Sequence, residues 1–371
     1  MKIDPFALER YFAKYEFSAR YLLSSSDCES FSMAELVEMA DEETKALWDS
    51  LRLGYTESQG HPLLREAIAG TYEHIKPQDV LVLAPEEGIY LLMLALLSDG
   101  GHVICTFPGY QSLYEVARSL GCEVSLWVPD EDRGWRFDLG WLRETLRQDT
   151  RLVVVNFPHN PTGHLPEESW YREMVDTVRE FGAYLLSDEM YRFLELGRRQ
   201  PLPAGCDLYE RAFSLSGLSK SFGLPGLRIG WVATAEVEIL AKMAELKDYT
   251  TICSSAPAEI LALVALRSRE RILKEQLERL HRNAALLENF FEKRSGAFAW
   301  NRPGGGSICF PRVLMVDDTN AFCEQLVVEA GIMLAPSRVF QYGDTHVRIG
   351  FGRQDFQQVL DLFGNYLDRL S

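Results

Sequence analysis

One lysine stands in an otherwise apolar, Ser/Gly-rich stretch, "SLSGLSKSFGLPGLRIGW" (Ser214–Trp231), with one arginine eight residues beyond it. Lysine seldom sits in apolar surroundings unless something pairs with it or uses it. A desolvated lysine with a lowered pKa is a nucleophile toward carbonyl carbon and forms a Schiff base. Lys220 is therefore the first candidate for chemistry. The planar fork of Arg228, with the hydroxyl of Ser219, suits a phosphate. Asp188, in "SDEMY" (Ser187–Tyr191), closes an apolar run, so its charge needs a partner. Tyr191 offers a phenol three residues later, Asn160 in "HNPTG" an amide, and Tyr110 a ring for stacking. In "APEEG" (Ala84–Gly88) a β-rich run turns into the helical stretch "IYLLMLALL". Backbone amides of Glu86 and Glu87 at that helix start would complete an anion site.

A phosphate, an aldehyde, a ring nitrogen with an acidic partner and a ring hydroxyl together describe pyridoxal 5′-phosphate. Something must bring the groups that would hold it together. Seven β-rich runs alternate with helical patterns: Val80–Leu83, His102–Phe107, Cys122–Val128, Arg151–Phe157, Ala183–Glu189, Arg211–Ser216 and Arg228–Thr234. Several are apolar throughout, as strands buried on both faces are. The helical segment Glu167–Gly182 ends on a glycine placed to stop it. This alternation predicts an α/β fold: a three-layer α/β/α large domain with a mostly parallel seven-stranded sheet. Ligands of such sheets bind beyond the carboxyl ends of the strands, where these candidates fall. Residues Arg267–Gly296 predict one long helix with heavy i,i+4 charge pairing, opening a smaller α+β domain. The expected division is an N-terminal arm packed on the small domain over 1–45, a large cofactor-binding domain over 46–265 and a small C-terminal domain over 266–371.

The 371 residues are 47% apolar and 25% charged, as in a globular protein. A net charge of −16 argues against non-specific binding to nucleic acid or anionic membrane. Seven cysteines without a Cys-x-x-Cys pair read as free, mostly buried thiols in a reducing compartment. No metal-ligand spacing occurs among the seven histidines. The opening "MKIDPFALERYFAKYEF" carries no apolar segment of a secretory signal, so a cytoplasmic enzyme is expected.

The ordered set "YTESQGHPLLREAIA" (Tyr55–Ala69), "HNPTG" (His159–Gly163), "SDEMY", "SKSFGLPGLRIGW" (Ser219–Trp231) and "HVRIGFG" (His346–Gly352) resembles the fold type I, pyridoxal-phosphate-dependent aminotransferases of the aspartate and histidinol-phosphate aminotransferase superfamily. The likeness spans nearly the whole chain. It implies that Lys220 forms the Schiff base, Asp188 pairs with the ring nitrogen, and Asn160 and Tyr191 bond the ring hydroxyl oxygen. Tyr110 stacks on the ring, while Ser219 and Arg228 hold the phosphate. Arg348, with Asn160 beside it, grips the substrate α-carboxylate. The tyrosine matching Tyr55 reaches the phosphate of the neighbouring subunit, which implies a homodimer with shared active sites. An amino acid and a 2-keto acid are the implied substrates.

Two positions depart from the pattern. Pro85 removes an N–H from the phosphate turn, and Gly217 stands where some relatives carry a hydroxyl. Asn156 either supports the aspartate or merely ends a strand. His159 is either a supporting group or a core histidine. Ser24–Asp27, "SSSD", either lines the substrate entrance or is a plain polar loop. The opening Leu22–Asp41 resembles the capreomycidine synthase-like branch, so elimination or cyclisation is the rival reaction on this scaffold. A non-catalytic sensing module is the distant one. It would need a DNA-binding domain ahead of Tyr55.

Overall fold

The computed structural model describes residues 2–198 and 200–370. Seven strands form one sheet: β1 (Val80–Leu83), β2 (His102–Thr106), β3 (Glu123–Trp127), β4 (Thr150–Asn156), β5 (Tyr184–Asp188), β6 (Ala212–Gly217) and β7 (Gly230–Ala233). Their order is β1-β7-β6-β5-β4-β2-β3. Only β7 runs against its neighbours; β2 to β6 pair in parallel. Each strand coincides closely with the apolar run that predicts it. Alternate residues of one strand enter different cores: Leu152 and Val154 face one layer, Val153 and Val155 the other. Burial on both faces is why these runs do not alternate with polar residues.

The N-terminal arm carries the helix α1 (Ala7–Tyr15), and the helix α2 (Pro85–Leu97) packs on one face of the sheet. Leu91, Leu92 and Leu96 of α2 are buried against Leu81, Leu83 and Leu215. Its proline occupies the first helical position, where a missing N–H costs nothing within the helix. The helix expected over Glu167–Gly182 runs Glu168–Glu180 and stops at Gly182, whose φ is 69°.

The long helix expected over Arg267–Gly296 runs Arg269–Glu292. Ser268 separates it from Ala256–Arg267, and the Ser268 hydroxyl donates to the Met39 carbonyl. The charge pairing expected along it is mostly directed elsewhere. Arg279–Glu275 is an i,i+4 pair at 3.2 Å. Arg267 instead reaches Asp41 and Glu43, and Arg294 reaches Asp368. Carboxylates brought close by folding compete with those one turn away.

The arm is threaded through the C-terminal elements. Helix α1 is tied down by the Tyr11 hydroxyl donating to the Leu334 carbonyl at 2.8 Å. Tyr21–Leu22 pairs in parallel with Ile332–Met333. Residues 23 to 28 then lie on the strand Val347–Gly350, where the Gly350 N–H donates to the Leu23 carbonyl at 2.8 Å. The approach is so close that a Cβ at Gly350 would lie 1.7 Å from the Ser25 carbonyl oxygen. All seven cysteines are free; six are buried and Cys253 is half-buried. Among the described residues no helix is long and apolar enough to cross a membrane.

Gly350→Ala tests that contact. The obstacle is backbone, so the arm must move away. A loss of about 3 kcal/mol is expected, lowering the calorimetric melting midpoint by about 4 °C. Protease cutting between residues 16 and 31 should rise with it.

Candidate active site

The strand register brings the chemistry to one edge. Asn156 of β4 lies opposite Asp188 of β5, and Asp188 opposite Leu215 of β6. Lys220 follows β6 after a short turn. Beyond this edge opens a cavity of about 610 Å³. Glu86, Tyr110, Asn160, Asp188, Tyr191, Ser219, Lys220, Arg228 and Arg348 all line it, although they are scattered over most of the chain. Asn156 lines it too.

Asp188 is buried, and its Oδ1 accepts from the Met190 N–H at 3.1 Å. Asn156 Nδ2 donates to the Asp188 carbonyl at 3.0 Å, while its Oδ1 accepts from the Asn160 N–H at 2.7 Å. Asn156 thus fixes both the aspartate and the loop carrying Asn160. Burial pushes the Asp188 carboxyl up to about 7. Lys220 Nζ donates to Ser26 Oγ at 2.9 Å, and burial lowers its pKa against the pull of Asp27. The Tyr191 hydroxyl is buried near Ser26 without a hydrogen bond of good geometry.

Arg348 is a fully buried guanidinium, with no carboxylate within 4 Å among the described residues. Its Nη2 and Nε donate to the Ser24 carbonyl at 2.9 and 3.2 Å, and its Nη1 to Asn160 Oδ1 at 3.3 Å. The rings of Phe12 and Phe340 flank it at 5.6 and 5.3 Å. Neutral acceptors orient the guanidinium, and Glu9 and Asp27 act on it only from beyond ion-pair distance, so its fork stays open to an anion.

At the other end, the start of α2 presents the first-turn amides that no helix satisfies internally. The two departures from the family pattern are coupled here. A Cβ at Gly217 would lie 3.1 Å from Pro85 Cγ, and one at Gly230 would lie 2.6 Å from it. The proline ring fills the space that a side chain at 217 would need. Arg228 adopts the left-handed conformation, with φ 56°, and its Nη1 donates to the Pro225 carbonyl at 3.1 Å. Such a conformation is costly for arginine and marks a position held by its surroundings. The Glu86 carboxyl points into the cavity, and burial raises it to about 7.

Two expected site residues are not brought in. The Glu87 side chain turns away, accepting from the Thr251 hydroxyl at 2.9 Å and from Thr250, so only its backbone amide is available. Tyr55 is 90% exposed and outside the cavity of its own chain. His159 belongs to the core: its Nδ1 bonds Thr162 Oγ1 at 2.8 Å, and burial drops its pKa to about 3.

Sequence reasoning misses most of the opposite wall. Phe6, Glu9, Phe12 and Glu16 reach the cavity from α1 and its flanks, and Ser26, Asp27 and Arg353 from beside it. Only the polar run "SSSD" hints at this wall. Glu9 Oε1 accepts from the Tyr110 hydroxyl at 2.9 Å. Asp27 pairs with Arg353 at 2.9 Å.

The donor set fits pyridoxal 5′-phosphate. A buried carboxyl can take a cation, a phenol lacks a partner, a lysine is desolvated, and a helix start lies near an arginine. The aminotransferase class I and II family profile matches residues 21–360. Capreomycidine synthase of Streptomyces vinaceus is 31% identical over 93% of this chain and 88% of its own length. An aspartate aminotransferase of Sulfurisphaera tokodaii is 27% identical, covering 85% and 83%. Among solved structures, a PLP-dependent aminotransferase from Streptococcus suis superposes with a TM-score of 0.93 at 30% identity, covering 100% of this chain and 99% of its own. A PLP-dependent cyclase, OrfR, superposes with 0.91 at 28%, with the same coverage. With a match across most of its length and a site built on that pattern, the chain belongs to the aminotransferase class I and II family.

Proposed function

We propose that the protein moves an amino group between an amino acid and a 2-keto acid. The observation that carries this reading is the placement of desolvated Lys220, buried Asp188 and buried Arg348, which has no carboxylate within 4 Å among the described residues, around one cavity. Pyridoxal 5′-phosphate is the cofactor, and when bound it supplies the reactive aldehyde and an electron-withdrawing ring. Asp188 would keep a proton on the ring nitrogen. Tyr191 and Asn160 would donate toward the ring oxygen. Tyr110 would cover a ring face, while Ser219, Arg228 and the amides of Glu86 and Glu87 would hold the phosphate. Arg348 would bind the substrate α-carboxylate through its fork, presenting Cα to Lys220. Lys220 Nζ would then take the Cα proton and deliver it to the former aldehyde carbon, as base and acid in turn.

A second reading, elimination or cyclisation of the substrate side chain, is favoured by one finding. The 31%-identical relative is a synthase and a full-length structural neighbour is a cyclase. Removal of the Cα proton by Lys220 serves both readings. They part afterwards.

The proposed partner is a second copy of the chain. Tyr55, Tyr249 and Leu53 are 90%, 91% and 85% exposed, on segments joined by the Thr56 hydroxyl donating to the Ser254 carbonyl at 3.3 Å. Large apolar side chains so exposed fit a covered face, and Tyr55 would reach the partner's phosphate from there. Sedimentation at assay concentration should give a dimer. An active monomer would refute shared sites.

Three further outcomes are expected. Borohydride reduction and peptide mapping should find the cofactor on Lys220. A keto acid should appear from the amino donor only when a keto-acid acceptor is supplied; release of ammonia or water without one would favour the second reading. Asp188→Asn should retain cofactor yet slow single-turnover loss of the Cα proton about a thousandfold, since about 4 kcal/mol of stabilisation is lost at about 1.4 kcal/mol per decade. Unchanged rates in a fully loaded variant would reduce Asp188 to a structural carboxyl.

A further inference from the structure

A second buried cluster lies behind the turn that follows β5. The residues of this turn divide between two cavities. Asp188, Met190 and Tyr191 line the large one. Glu189, Arg192 and Glu195 line a separate small one of about 10 Å³. All three charged side chains are buried. None has a part in the reaction proposed above.

Their contacts run away from the large cavity. Glu189 Oε1 accepts from the Ser214 hydroxyl at 2.6 Å and from the Gly205 N–H at 2.9 Å. Arg192 Nη2 donates to the Thr71 carbonyl at 3.0 Å, and its guanidinium lies 4.9 and 4.7 Å from the rings of Tyr72 and Phe193. The two charges stand 3.8 Å apart, and Glu189 Oε2, Arg192 Nε and Arg192 Nη1 have no hydrogen-bond partner among the described residues. A water bridging them would fit the small cavity. The backbone adds further ties. The Arg192 N–H donates to the Glu189 carbonyl at 2.9 Å, closing the turn around Met190 and Tyr191. The Ser221 hydroxyl, next to Lys220, donates to the Arg192 carbonyl. Phe193 takes the left-handed conformation with φ 77°, which is costly for an aromatic residue and is imposed by its surroundings.

A buried ion pair seldom adds stability over a well-packed apolar pair of similar volume. Stability therefore does not account for this one. An apolar pair would bury as well but could not fix the direction of the turn. We propose that Glu189 and Arg192 are positioning residues: one anchored on Gly205 and Ser214, the other on Thr71, they hold the turn so that Asp188 meets the ring nitrogen and Tyr191 the ring oxygen. This rests on the places given to Asp188 and Tyr191 in the reading above.

The test compares the cofactor-loaded parent with the double variant Glu189→Gln/Arg192→Met. Glutamine keeps an acceptor for Gly205 and Ser214, and removing both charges together strands neither. The melting midpoint should therefore stay near the parent's, whereas Glu189→Gln alone strands Arg192 and should melt lower. The double variant should still load cofactor, yet lose circular dichroism in the cofactor's own absorption band, which reads how the ring is held. Single-turnover loss of the Cα proton at saturating amino acid should slow at least about tenfold, as misplacement of reacting groups does. Half-saturation should not change, because Arg348 is untouched. A double variant with the parent's dichroism and rate overturns the proposal. So does one whose dichroism and rate fall only in step with its melting midpoint or its cofactor content, since the pair then serves the fold alone. Asp188→Asn without effect on either signal would overturn the site reading itself, and the proposal with it.

Discussion

Asp188 is a carboxyl group at the carboxyl end of a strand, buried on all sides, with no cation in ion-pair contact among the described residues. It is held by the Met190 amide and steadied by Asn156. Its pKa rises from 3.8 to about 7 because burial disfavours the charge more than these bonds favour it. Between those values the folded chain alone holds a proton that the unfolded chain has lost. This group therefore makes the fold less stable as pH climbs from about 4 to about 7. In the proposed reading a protonated ring nitrogen placed against it would remove that penalty, linking cofactor binding to folding through this one residue.

Arg348 is the counterpart with opposite sign. It is buried among acceptors that can orient it without neutralising it. The Ser24 carbonyl does this because the arm segment lies directly on the strand that carries Arg348, at a distance only Gly350 permits. The same segment delivers Ser26 to Lys220 and Asp27 to the far wall. One backbone contact thus sets three sides of the cavity at once: the orientation of Arg348, the hydroxyl on Lys220 and the position of the Asp27 carboxylate.

The sheet is legible in the sequence because its information is local. Runs such as "VLVL" and "RLVVVNF" are apolar on both faces, and the residues just after them carry the chemistry. Lys220, Asp188, Asn160 and Arg228 can be read for the same reason. Glu9, Glu16, Asp27 and Arg353 cannot, because their meaning depends on where the arm packs, hundreds of residues away in sequence. The Glu87 side chain is opaque in a different way: Thr250 and Thr251, which draw it off, arrive from a distant helix end. The break at Ser268 is hidden because no breaker residue marks it; its hydroxyl is held by the distant Met39 carbonyl. Charges along Arg267–Gly296 look self-sufficient, yet folding offers Arg267 and Arg294, just beyond either end of the helix, other partners.

Pro85, Gly217 and Gly230 interlock at the start of α2. A Cβ at 217 would meet the proline ring and two backbone atoms at 3.1 Å, so each must give by a few tenths of an ångström, and one at 230 would meet the same ring at 2.6 Å. Replacing Pro85 leaves a hollow beside two glycines; replacing either glycine presses on the proline. The ring thus works as a spacer: it holds the first turn of the helix at a fixed height above the two strand ends, and a change at any one of the three positions is felt at the other two.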